Sequence, residues 1–94
     1  MNPPSIPPML LNEYKKSIPQ KLKAIQNLIE QAKQNPLSET LDSLCFAVHK
    51  LAGSAGTYGY SEASQLCKEL AQKIMNKDKL DLDTFFLNLK KAMN

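Results

Sequence analysis

His49 is the only histidine in this chain of 94 residues, and Gly53 follows it one helical turn later. An imidazole can act as a nucleophile, a proton carrier or a metal ligand. A glycine inside an exposed helix costs roughly 1 kcal/mol relative to alanine, so its place beside the only imidazole indicates that the backbone must stay bare there. The alternative is a surface histidine next to a tolerated glycine, and the rest of the sequence has to decide between them.

The two cysteines suggest no metal or redox chemistry. Cys45 and Cys67 lie in apolar helical stretches without CxxC spacing, so we expect both to be reduced core residues. Cys45 and His49 could contact one metal ion, but two ligands do not make a structural zinc site and no others are evident. We expect this chain to bind no cofactor.

A hydrolase that uses His49 is a further alternative. Ser54 lies roughly 140° around a helix from His49, and Cys45, one turn before it, tends toward the predicted core. A catalytic triad also needs an acid that orients the imidazole, and none is placed to serve. The spacing therefore disfavours this class.

Length and charge exclude other classes of function. A chain of 94 residues is one small domain, too short for a nucleotide-binding domain and a second unit, so an ATP-dependent kinase is not expected. All twelve basic residues are lysines, which argues against nucleic-acid binding. The longest apolar run, residues 44–48, is far too short to span a membrane, so we expect a cytoplasmic monomer that binds neither membrane nor nucleic acid.

The first third of the chain predicts a leader and two helices. Residues 1–8 are rich in proline and predict an extended, flexible leader, whose last proline could begin a helix. Residues 9–16 have helical apolar spacing and predict a short extra helix. A capping-box signature around Pro19 then predicts a kink or a restart. The second helix runs from there to Gln34, where an Asn-Pro pair ends it.

The remaining sequence predicts three further helices and no strand. Ser38 is the expected N-cap of the first of these helices, and Gly59 is its expected C-terminal stop. The next helix begins at Ser61, and Asp81 caps the last one. Amphipathic helices with short links pack as antiparallel neighbours. The predicted fold is therefore an all-α, up-and-down antiparallel four-helix bundle with a short extra N-terminal helix, within a domain over residues 9–94.

On the helix that carries it, His49 is predicted to face water. At about 100° per residue, His49 falls roughly 100° from the centre of the apolar stripe and Gly53 about 40° beyond it. Phe46, one turn before His49, falls on the same surface; the alternative is that it packs on a neighbouring helix. Seven residues form the inward stripe: Leu41, Leu44, Cys45, Val48, Leu51, Ala52 and Ala55.

Two segments resemble a known signature. Residues 47–60, with their H-x-L-A-G-S-A core and a further glycine ten positions after His49, and the L-C-K-E-L step at residues 66–70 are similar to the histidine-containing phosphotransfer (HPt) domain family. The resemblance implies a helical bundle that relays a phosphoryl group between receiver-domain aspartates, with His49 as the phosphorylated residue. It implies a carrier without ATP-binding or kinase activity of its own. Response-regulator receiver domains and a hybrid sensor histidine kinase would be its partners, and Mg²⁺ is expected on the receiver.

The resemblance also implies roles for residues around His49. Phe46, Lys50, Gly53 and Gly56 are the expected partner-docking residues. Lys50 and Lys68 are the basic side chains that could stabilise a phosphoryl group.

The chain departs from the family pattern at Ala52, where many relatives carry lysine. Lys50 lies about 100° around the helix from His49 and is a weak substitute. The alternative function is a helical module that docks to a receiver or kinase without carrying phosphate. The retained histidine favours the phosphorylated carrier.

Overall fold

A computed structural model describes residues 6–94, which form four helices and no strand. The helices are α1 (Pro8–Gln34), α2 (Ser38–Thr57), α3 (Ser61–Met75) and α4 (Leu82–Ala92). Helices adjacent in sequence pack on each other, and α1 also contacts α4, so the four helices enclose one core. The predicted all-helical class is confirmed. The predicted flexible leader lies mostly outside the described residues.

The first helix is continuous through Pro19, so the predicted separate N-terminal helix and the predicted restart after it are wrong. Tyr14 and Ile18 before the proline are buried on the same stripe as Ile25 after it, so a single core-facing surface spans the proline. Pro19 itself is exposed, where water can satisfy the carbonyl that loses its amide partner. The hydroxyl of Ser17 donates to the carbonyl of Tyr14 (2.6 Å) and does not cap a new helix.

Two predicted N-caps had different outcomes. The cap of α2 is Leu37 and not Ser38, because the Leu37 carbonyl already accepts from the amide of Leu41 at 3.0 Å. Asp81 caps α4 as predicted and accepts from the Thr84 amide (3.1 Å) and hydroxyl (2.7 Å). These hydrogen bonds lower the pKa of Asp81.

The C-terminal ends of α2 and α3 use the same backbone motif. Gly59 follows α2 with φ +90°, and the amide of Tyr60 donates to the carbonyl of Ala55 at 2.8 Å. This Schellman arrangement confirms Gly59 as the stop signal. Lys77 occupies the equivalent place after α3 with φ 58°, and the amide of Asp78 closes the motif.

Five of the seven residues of the predicted stripe on α2 are buried in the core, and Leu41 and Cys45 are partly buried against it. Among the largest fully buried side chains are Leu44, Val48 and Cys67. Burial raises the pKa of the Cys67 thiol to about 12. Cys45 is half-buried, and its thiol donates to the carbonyl of Ala71 on α3 (3.7 Å). Within residues 6–94, no helix combines the length and hydropathy that crossing a bilayer requires.

Candidate functional site

His49 lies in the middle of α2 on its exposed side, between core residues that fix the helix from within. Val48 is fully buried and Leu51 is buried, while the His49 side chain is open to solvent. Phe46, one turn earlier, is 70% exposed, so it does not pack on a neighbouring helix. Together with exposed Gly53, Phe46 and His49 form one surface of α2, which we call the His49 face.

Gly53 has no packing role within residues 6–94. A Cβ atom built on it would meet nothing within 4 Å. The helix therefore bears the cost of glycine without a packing gain inside the protein. Packing within the described residues therefore does not explain why the backbone is bare there.

Gly56 differs from Gly53, although it is exposed on the same helix. A Cβ atom on Gly56 would lie 3.2 Å from the hydroxyl oxygen of Ser64 and 3.6 Å from its Cβ. Close packing of α2 on α3 accounts for this glycine. A docking role for Gly56, expected from the resemblance, stays a prediction.

Ser64 is a buried polar residue whose contact the sequence analysis missed. Its hydroxyl donates to the carbonyl of Ala52 at 2.8 Å and joins α3 to α2. Its place beside the apolar stripe of α3, next to Ala63, was the available signal. Ala52 is itself buried at this interface, so the position of the family lysine is here a packing position.

Three tyrosines join the start of α1 to the end of α2. The rings of Tyr14 and Tyr58 are stacked, with centroids 4.2 Å apart, and Tyr60 lies 5.8 Å from Tyr14. The hydroxyls of Tyr14 and Ser54 are hydrogen-bonded at 3.0 Å, and burial raises the pKa of Tyr14. This cluster holds the last turns of α2, which follow Gly53. Two tyrosines on either side of Gly59 were the only sequence signal for it.

The two predicted phosphoryl-stabilising lysines lie on different helices. Lys50 is exposed on α2 and lines a groove against α1. Lys68 is exposed on α3 between Ser64 and Ala71, the two residues that form hydrogen bonds with α2. On α2, the partners in these hydrogen bonds are Cys45 and Ala52, and His49 lies between them in the chain. Lys68 is therefore at the same height along the bundle as His49.

Of three comparisons with known proteins, one gave a match. A family model described as Hpt domain matches residues 9–93. A search of curated proteins and a search of solved structures gave no match. Within the described residues, no group of three or more side chains is arranged to bind a metal ion.

Proposed function

The chain belongs to the Hpt domain family, and from this premise we propose that it relays a phosphoryl group between receiver-domain aspartates in a two-component phosphorelay, through His49. Membership in the family implies phosphotransfer in phosphorelays. One observation supports the assignment to His49: an exposed imidazole stands one turn before a helical glycine where an added Cβ atom would contact nothing in the described part of the chain. Both features suit a histidine that a second protein must reach.

The proposed transfer forms one bond and breaks one. The lone pair of an unprotonated imidazole nitrogen of His49 attacks the phosphorus of an aspartyl phosphate. An N–P bond forms, the P–O bond to the aspartate breaks, and its electron pair stays on the carboxylate. The other ring nitrogen keeps its proton, and the reverse reaction passes the phosphoryl group to a second receiver.

Gly53 contributes by admitting the partner. In-line transfer needs the reacting atoms within about 3–3.5 Å, so the receiver backbone has to come close to α2. A glycine one turn beyond the imidazole leaves that approach open, and exposed Phe46 offers an apolar anchor on the same face. The Mg²⁺ ion is expected on the receiver, where it would neutralise charge on the phosphoryl group.

Lys68 is the proposed electrostatic partner of the phosphoryl group. It lies at the level of His49 across the α2–α3 boundary, while Ala52 supplies no charge and is buried. A lysine on α3 has a long, flexible side chain, so its ammonium group can attract the phosphoryl dianion on His49. This role does not require Lys68 to contact the receiver domain before His49 is phosphorylated. Lys50, next to His49 in sequence, is proposed as a docking residue.

The proposal includes several finer points. The helices run up and down, which is supported by contacts of early α1 with late α2 and of late α1 with early α4. The protein is a cytoplasmic monomer and a carrier that binds no ATP. Its partners are receiver domains and a hybrid sensor histidine kinase.

The test is transfer from a receiver domain that carries radiolabelled aspartyl phosphate. We expect an acid-labile, alkali-stable label on the chain, as an N–P bond requires, and peptide mapping should place it on His49, the only histidine. The His49→Gln variant should bind the receiver and stay unlabelled. Binding without label on the wild-type chain would favour the docking-module alternative, and label on His49→Gln would refute the site.

A further inference from the structure

A shallow groove between α1 and α2 lies beside the His49 face. It has a volume of about 280 Å³, and small or apolar residues such as Ala24, Ala47 and Leu51 line it. Lys21 from α1 and Lys50 from α2 complete its lining. The groove therefore combines an apolar floor with two cationic side chains, and Lys50 directly follows His49 in the chain.

Neither of these two lysines has a counter-ion in the described part of the protein. The ion pairs there join Lys16 to Glu13 and Lys33 to Asp83. No aspartate or glutamate lines the groove. The two positive charges are thus uncompensated, which favours an anionic ligand at this place.

Lys21 is also held in position. Its ammonium nitrogen lies 5.4 Å from the centroid of the Tyr14 ring, and the Tyr14 hydroxyl is hydrogen-bonded to Ser54, a further residue of the groove. A cation placed over an aromatic ring is attracted to its face. The contact with the Tyr14 ring therefore holds the ammonium group of Lys21 close to the apolar floor of the groove.

We propose that this groove binds an acidic segment of the receiver domain and selects partners by charge. The complementary surface is a small apolar side chain with carboxylates on both sides, so that the apolar group covers the floor and the carboxylates meet Lys21 and Lys50. The inference rests on the proposed phosphotransfer function and adds a second contact region to the His49 face. Its main effect is on the rate of productive encounter, since charges at the edge of an interface act chiefly on association.

The test compares two double charge reversals in the intact chain. The groove variant is Lys21→Glu with Lys50→Glu, and the control is Lys23→Glu with Lys91→Glu. Lys23 and Lys91 are exposed, and Lys23 lies about 200° around α1 from Lys21, so the control has the same net charge without altering the groove.

The measured quantity is the rate of transfer from a labelled receiver domain to His49 at low and high salt. We expect the groove variant to transfer roughly tenfold more slowly at low salt and sub-saturating receiver, and the difference from the control variant to narrow at high salt. The control variant should stay within about twofold of the wild type.

Three results would overturn the inference: equal slowing of both variants, an unchanged rate in the groove variant, or groove-dependent binding of a DNA duplex with receiver transfer unaffected. Direct phosphorylation of each variant with phosphoramidate, a small phosphoryl donor, separates this failure from failure of the proposed function. If the wild type takes no phosphoryl group from either donor, the proposed phosphotransfer function is wrong. If the receiver labels the wild type and both variants at equal rates, only the proposed role of the groove is wrong.

Discussion

Replacing Gly53 should stabilise the fold and impair the function. Gly53 is inside α2, where glycine disfavours the helix, and a Cβ atom there would meet nothing within 4 Å. The full helix-propensity difference between glycine and alanine should therefore appear in the free energy of unfolding. A longer side chain at this position points into solvent in the free protein, and in the proposed complex it would meet the receiver domain.

The expected magnitudes follow from these contacts. Gly53→Ala should raise the free energy of unfolding by about 1 kcal/mol, and Gly53→Gln by about 0.5 kcal/mol because glutamine is a slightly weaker helix former. For a domain of this size, 1 kcal/mol corresponds to a rise in Tm of about 4–8 °C. Gly53→Gln should slow phosphoryl transfer by about a hundredfold, the scale of a misplacement of roughly 1 Å between reacting groups.

Gly56 provides the matched control on the same helix. Its added Cβ would lie 3.2 Å from the hydroxyl oxygen of Ser64, which is held by its hydrogen bond to the carbonyl of Ala52. The propensity gain of Gly56→Ala should therefore be cancelled, leaving a change near zero or slightly destabilising.

The assays are urea unfolding followed by far-ultraviolet circular dichroism and transfer from a labelled receiver domain. In Gly53→Gln, the free energy of unfolding should rise while the rate of transfer falls. A loss of stability in Gly53→Ala would show that the glycine is needed by the fold. Wild-type transfer by Gly53→Gln would refute the argument that the bare backbone admits the partner.

Three further predictions concern the fold. In urea unfolding, Gly59→Ala should lower the free energy of unfolding by about 1 kcal/mol because the φ of Gly59 is +90°. Lys77→Gly, at the equivalent place after α3, should raise it by about 0.5–1 kcal/mol. A change of the same sign in both variants would contradict the shared motif. Pro19→Ala should stabilise α1 by about 2 kcal/mol, and no gain in unfolding free energy would show that the proline does not strain the helix. Burial raises the pKa of Cys67 from 9.0 to about 12, so its neutral form stabilises the fold below pH 9.0 and this contribution is lost as the pH rises toward 12. Thermal unfolding across the alkaline range should show that fall, reduced but not abolished in Cys67→Ala because the pKa of Tyr14 is also raised; an identical pH dependence in Cys67→Ala would contradict it.

Features decided within one helix could be predicted from the sequence. The period of apolar residues on α2 is sufficient to predict that Val48 is buried and His49 is exposed. The side chain of Asp81 predicts the start of α4, and the conformational freedom of Gly59 predicts the end of α2. The same period cannot tell whether an exposed aromatic such as Phe46 meets a neighbouring helix. The structure answers that through the relative placement of helices.

Features decided between helices escaped sequence analysis. Local signals around Pro19 predict a kink or a restart, but one buried stripe on both sides of the proline keeps α1 a single helix. Gly53 and Gly56 look alike in sequence, and only the position of Ser64 on α3 separates a glycine that packs from one that does not. Such contacts depend on tertiary placement, which spacing along one helix does not encode.

The most direct test of the relay is the onward transfer of phosphate from His49. The chain is phosphorylated with phosphoramidate, freed of the donor, mixed with an unphosphorylated receiver domain and followed by phosphorus NMR. We expect a phosphohistidine signal that decays as an aspartyl phosphate appears on the receiver, and no such signal in His49→Gln. Failure of phosphohistidine to form, or its loss only as inorganic phosphate in the presence of receiver domains, would contradict it.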